Sequence, residues 1–165
     1  MIGIDLVSER AMKWVLIVLV GLVLAVCVLF ATRSYLSRQH PPQLGLENGR
    51  LRACPSSPNC VLSEGADEAH AIAPLPYRGD RAQSERALQA ALASLPRTSL
   101  LRRQGDYWLA QSVSGLFRFV DDVELRFDDA QAQIQVRSAS RVGYSDLGAN
   151  RKRVEALRAA YLAQP

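Results

Sequence analysis

The chain has 165 residues, room for one folded domain and an appendage, and a formal net charge of +4. From Pro41 onward 16 Lys+Arg stand against 14 Asp+Glu, a net of +2. So nearly balanced a charge argues against general nucleic-acid binding. The first element is residues 14–32, "WVLIVLVGLVLAVCVLFAT", with no charge and with Lys13 and Arg33 at its ends. As a helix it spans about 28 Å, one hydrocarbon core. Residues 1–13 precede it as a tail, and Met12 offers an alternative start. The apolar run is longer than that of a cleaved signal and no A-x-A site follows, so an uncleaved signal anchor is expected. A cleaved signal and a lipid anchor at Cys27 are the alternatives. "LAVC" has the outline of a lipoprotein box, but Val26 stands where a small residue is wanted.

The charges flanking the span are Arg10 and Lys13 before it, and Arg33, Arg38, Arg50 and Arg52 after it. This count favours a cytoplasmic domain. The cysteines point the other way. Residues 33–53 read as a linker, with Pro41, Pro42, Gly45 and Gly49 and no sustained period. The domain is expected over 54–163. It opens on "CPSSPNC", in which Pro55 and Pro58 stiffen the loop between Cys54 and Cys60. Behind an export-type anchor the natural reading is a disulfide, stabilising by about 2 kcal/mol. The alternatives are a zinc site helped by His40 or His70 and a redox-active pair, the latter without C-x-x-C spacing. Cys27 reads as a small apolar residue inside the span.

Next, "GDRAQSERALQAALASLP" predicts a helix capped by Asp80, with Gln83 completing a capping box and Pro96 stopping it. Leu88, Ala91, Leu92 and Leu95 form its buried stripe. "TSLLRRQ" and "YWLAQSV" predict strands joined by a Gly105-Asp106 hairpin turn. Leu116, Phe117, Phe119 and Val120 in "SGLFRFVDD" are expected to enter the core; the alternative is an apolar mouth or partner-binding edge. "DVELRFD" places Val123, Leu125 and Phe127 inward and Asp122, Glu124, Arg126 and Asp128 on a polar face. "QIQVRSA" follows with Ile134 and Val136 inward. A loop over 129–132 pairs 128 with 133 and sets Glu124 opposite Arg137, a contact worth some tenths of a kcal/mol. A last helix over 148–163 buries Val154, Leu157 and Tyr161, with Ser145 or Asp146 as cap. The order α-β-β-β-β-α predicts an α+β fold: a single N-terminal transmembrane helix, then an antiparallel sheet covered by helices.

The corner "VRSASRVGYSDLGANRKRVEAL" carries the candidate chemistry. Asn150 lies four residues before Val154, on or beside the buried stripe, and must find a hydrogen-bond partner. The main chain of "SRVGYSD" is nearest. In an architectural reading Arg137 pairs with Glu124, and Arg141 or Arg151 with Asp121, Asp122 or Asp146. Gly143 and Gly148 then permit tight backbone, and Lys152 and Arg153 point to solvent. In a functional reading Arg137, Ser138, Ser140, Arg141, Tyr144, Asp146, Asn150 and Arg151 form a site for an anionic or polar small molecule, beside a helix N-terminus. Catalysis would draw on Ser140, Ser145 and Asp146, but no histidine follows His70. The acid pairs Asp121/Asp122 and Asp128/Asp129 read as strand-end and turn acids, and neither a metal nor a cofactor is expected.

"CPSSPNC", "FRFVDDVELRF" and "IQVRSASRVGYSDLGANRKRVEALR" together resemble a bacterial and plastid family, domain-of-unknown-function family 1499, over residues 44–163. The resemblance implies that Cys54, Cys60, Asp121, Asp122, Arg137, Ser138, Ser140, Arg141, Gly143, Asp146, Gly148, Asn150 and Arg151 are pattern positions. It implies no activity. Members often look like exported or lipid-anchored envelope proteins, and this chain departs from the latter in its lipobox. The expectation is a single-pass protein of the bacterial inner membrane, held through residues 14–32, with its domain in the periplasm; a cytoplasmic-facing domain is the alternative. Its role is expected to be non-catalytic binding of a ligand or envelope protein. An envelope hydrolase using Ser140, Ser145 or Asp146, or an assembly factor acting through 116–120, are the other readings.

Overall fold

The structure, a computed structural model, describes residues 3–39 and 44–164, with side chains from Ser8 onward. His40, Pro41 and Pro42, weighed above, lie outside the described residues. The first element is a single helix, α1 (Gly3–Gln39), which contains the whole apolar run and both flanks. Nothing in 14–32 breaks it: Gly21 is the only glycine in that run, which holds no proline. The portion Ser8–Gln39 is long and apolar enough to cross a membrane, with mean hydropathy reaching 3.1 in its most apolar stretch and no protein burying that stretch.

The expected linker 33–53 holds structure at both ends. Its first seven residues continue α1, and β1 (Leu46–Glu47) and β2 (Arg50–Leu51) pair as a small antiparallel hairpin. The turn is Asn48-Gly49, with φ of +52° and +76°, the left-handed geometry that this dipeptide favours. Leu44 and Leu51 already pack on the sheet.

Then follow β3 (Cys60–Leu62), β4 (Leu75–Pro76), α2 (Arg81–Ser94), β5 (Thr98–Gln104), β6 (Tyr107–Val113), β7 (Val120–Asp128), β8 (Gln133–Ser140) and α3 (Ala149–Leu162). One six-stranded antiparallel sheet runs in the order β3-β8-β7-β6-β5, with β4 also beside β8. The fold is α+β, as expected. The capping box at Asp80 and Gln83 forms, and Leu95 caps the far end of α2 before Pro96. Helices α2 and α3 cover one face of the sheet, burying Leu88, Leu92, Val154, Leu157 and Tyr161 against Trp108, Val123, Leu125, Phe127, Ile134 and Val136. The β7–β8 register is the expected one, Asp128 opposite Gln133 and Glu124 opposite Arg137.

The expected solvated face is the main departure. Asp122 and Glu124 are fully buried and Arg137 nearly so. A second apolar layer of Leu51, Leu62, Tyr107 and Leu109, with Leu44 and Cys54, covers that side. Gly45 N donates to Glu124 Oε1 at 2.8 Å, which places the segment after α1 directly over the carboxylate. Cys54 and Cys60 form a disulfide with their Cα atoms 5.7 Å apart, fastening this cover to the edge strand β3.

The stretch 116–120 is also corrected. Only Val120 is core; Leu116 is exposed and Phe117 and Phe119 are half-buried. Phe117 stacks on Phe30 of α1, ring centroids 4.3 Å apart, and Phe119 lies 6.1 Å from both rings. These side chains serve the contact between α1 and the sheet. Ser37, fully buried, completes it: its Oγ accepts from Val120 N at 3.3 Å, and its carbonyl accepts from Arg141 Nη1 at 3.3 Å.

Candidate functional site at the foot of the apolar helix

Strand alternation decides how the corner residues divide. Arg137, Ala139 and Arg141 point to the side covered by residues 44–54, and Ser138 and Ser140 to the helix side. The eight candidate residues are therefore divided between the two sides, with Ser140 also reaching the cleft beside Arg137 and Arg141.

On the first side every arginine is engaged. Arg137 Nη1 donates to Glu124 Oε2 at 2.6 Å. Tyr107 Oη and Gly45 N share Glu124 Oε1, both at 2.8 Å. Burial and the Glu124 charge push the Tyr107 phenol up, so it stays a donor. Arg141 grips Asp122 with a fork, Nε–Oδ2 2.8 Å and Nη2–Oδ1 2.7 Å. Arg151 belongs to α3, on the helix side, and is engaged as well: it donates to the carbonyls of Ala71 and Ala69 at 2.8 and 3.2 Å, tying the helix to the loop after β3. A broad cleft of about 530 Å³ opens here, with Arg52, Cys54, Arg137 and Arg141 among its walls. Arg137 Nε is buried in it without an acceptor.

On the helix side Asn150 is fully buried and acts as a hub. Its Oδ1 accepts from Ser138 Oγ at 2.7 Å. Its Nδ2 donates to Asn59 O at 2.8 Å, Asp146 Oδ2 at 2.8 Å and Ser140 Oγ at 3.0 Å. The partners are thus mostly side chains, not the main chain of the turn. Asp146 acts as the cap from outside the helix: Oδ1 accepts from Gly148 N at 2.9 Å and Oδ2 from Asn150 N at 2.7 Å. Gly148, at φ +77°, is the formal first position. Ser145 Oγ accepts from Leu147 N at 3.3 Å, ahead of the helix.

Two residues were missed. Asn59 joins the cysteine loop to the corner, its Nδ2 donating to Gly143 O at 2.7 Å; its place inside "CPSSPNC" was the one available signal. Arg153 does not point to solvent. It is half-buried, ion-paired with Asp121 and hydrogen-bonded to Ser138 Oγ at 3.1 Å. It follows Asn150 by three residues, so it shares that helix face, and its long stem crosses to β7.

Between α1 and this corner lies a cavity of about 390 Å³. Phe30, Phe119 and Val142 form an apolar wall; Asp121, Ser140 and Asp146 form a polar floor; Arg33, Tyr144 and Ser145 stand at its rim. Burial pushes the Asp121 carboxyl up and the Asp146 charge adds to this, against the opposing pull of Arg153 and a hydrogen bond from Ser140. His70 is held by Asp67 and the Ser57 carbonyl, away from these hydroxyls. Each acid of the two candidate pairs has an arginine: Asp121 with Arg153, Asp122 with Arg141, Asp128 with Arg126, Asp129 with Arg81. Among the described residues no three metal-ligating side chains gather.

The family model described as "Protein of unknown function (DUF1499)" matches residues 50–161. The chain belongs to the DUF1499 family. The match starts in β2 and ends in α3, so the DUF1499 domain supplies the floor and most of the wall of the cavity, while Phe30 and Arg33 come from outside it. No curated protein matches the chain.

Proposed function

We propose that this protein is a membrane-anchored, non-catalytic binding protein that holds an amphipathic molecule in the cavity at the foot of α1. The observation that carries the reading is the composition of that cavity. One wall is aromatic and aliphatic and belongs partly to the apolar helix; the floor is rich in hydrogen-bond acceptors. Such a lining suits an apolar body with a head bearing hydroxyls or an amine. An anion would find few free cations, since Arg137, Arg141, Arg151 and Arg153 already have partners. Hydrolysis has weaker support: Ser140 is bonded to Asn150 and Asp121, and Asp146 spends its oxygens on the start of α3.

The domain is assigned to the extracytoplasmic side of the membrane. The Cys54–Cys60 disulfide supports this, because cytosolic thiols are kept reduced. The charge count across the span opposes it, but whole domains translocate largely regardless of nearby charge.

The test is mass spectrometry of the full chain extracted from its own membrane in mild detergent, beside an Ala149→Trp variant. Ala149 is exposed and lines the cavity, so the indole fills it at little cost to the fold. A co-purifying amphiphile lost in the variant supports the reading. An empty wild type, or a molecule retained equally by both, overturns it.

A further inference from the structure

The loop between β6 and β7 is held in a shape that presents one residue. Ser114 N donates to Phe119 O at 2.9 Å and Phe119 N returns to Ser114 Oγ at 2.9 Å, closing the loop at its neck. Arg118 sits in the left-handed region at φ +59°. Leu116 is thereby left 82% exposed at the tip, with Phe117 beside it stacked on Phe30. An exposed leucine is ordinary; its surroundings here are not. Leu116 and Phe117 line one cleft together with Cys27, Ala31 and Ser34 of α1. Cys27 and Ala31 belong to the uncharged run that ends at Thr32. At 1.5 Å per residue Ala31 is about 2 Å and Cys27 about 8 Å inside that end. A side chain at the level of these residues lies within the interfacial zone, where amphipathic segments bury their apolar faces about 5–10 Å deep.

We propose that the loop over 114–119 is a second membrane contact, with Leu116 and Phe117 inserted into the headgroup–acyl boundary beside α1. This rests on the reading of α1 as a membrane span. The occupant is the lipid bilayer because the cleft is continuous with the surface of α1 that bilayer covers. Arg38 lines the same cleft and Arg118 follows Phe117 in the loop; both are exposed and suit an anionic headgroup layer. The consequence for the cavity is that its apolar wall of Phe30 and Phe119 stands beside the headgroup layer, so its occupant enters from the membrane.

The experiment uses the full chain in vesicles of phosphatidylcholine and phosphatidylglycerol. Leu116→Cys on a Cys27→Ala background carries an environment-sensitive fluorophore, since Cys54 and Cys60 are joined. Ala130→Cys is the control, exposed at the opposite end of β7, about 30 Å along the strand. A wild-type Cys27 label reports the span. The expected result is several-fold stronger quenching of the Leu116 probe by shallow nitroxide lipid than of the Ala130 probe, with the reverse order for aqueous iodide. Equal behaviour at both sites overturns the proposal. So does protection of Leu116 from both quenchers, which means a protein covers the loop. A quenched Cys27 label with an unquenched Leu116 label removes this inference alone, whereas an unquenched Cys27 label removes the anchor as well.

Discussion

Glu124→Ala is the substitution whose cost separates a solvated sheet face from a buried one. A cross-strand ion pair facing water is worth some tenths of a kcal/mol. Glu124 is instead fully buried and receives Arg137 Nη1, Tyr107 Oη and Gly45 N. Its removal leaves the Arg137 guanidinium buried without its counter-charge, a change that costs about 3–5 kcal/mol. Two further donors lose their acceptor, though the cavity left by truncation admits water and limits that extra cost to about 1–2 kcal/mol. The total, about 4–7 kcal/mol, is a large part of the stability of a domain this size. The assay is denaturant unfolding of the full chain in detergent, followed through the emission of Trp108, which lies in the core. The paired change Glu124→Met with Arg137→Met removes both charges and is expected to recover most of the loss. A loss below about 1 kcal/mol for Glu124→Ala, or a double variant no better than the single, refutes the argument that burial sets the magnitude.

Arg141→Ala is expected to destabilise by about 3–5 kcal/mol, because it strands buried Asp122 and releases the Ser37 carbonyl; near-wild-type unfolding with loss of a bound molecule would make it a ligand residue instead. The raised Asp121 pKa gives a pH test. The folded state holds this proton more tightly than the unfolded one, so its contribution to stability is present below the ordinary value of 3.8 and is lost as pH rises through the folded pKa. The stability of the wild type relative to Asp121→Asn should therefore fall from about pH 4 upward, and a rising difference would reverse the assignment. Opening the disulfide with Cys54→Ser and Cys60→Ser together should lower stability by about 2 kcal/mol, measured by unfolding with and without reductant; unchanged stability would show that the cover over Glu124 holds without it.

Short-range patterns made the elements legible. The period of 2 in "DVELRFD" and "QIQVRSA" marked the strands, the 129–132 loop between them set Glu124 against Arg137, and Asp80 with Gln83 marked the start of α2. What covers a face is not a local property. Asp122 and Glu124 look solvated because the layer burying them comes from 44–54, a stretch with Gly45 and Gly49 and no period of its own. One signal there went unused: Asn48-Gly49 is a hairpin dipeptide. At the corner the pairs of the architectural reading form, Arg137 with Glu124 and Arg141 with Asp122. Alternation along β8 separates Arg137 from Ser138, while Ser140 and Arg141 at its end both reach the cleft beside Arg137. The i, i+3 relation to Asn150 likewise points Arg153 inward. The cavity could not be read from the corner at all, because Phe30 lies more than eighty residues earlier in the chain.

The buried Ser37 junction has a mechanical consequence. A flexible tether of the 21 residues in 33–53 would let the domain range over roughly 25 Å around its anchor. With Ser37 fastened to Val120 and Arg141, and Phe117 stacked on Phe30, that freedom is absent. The protein is a fixed post: it turns and diffuses with its helix, at one height. With α1 in a bilayer, as proposed, its encounters become a two-dimensional matter, set by what drifts past in the same leaflet.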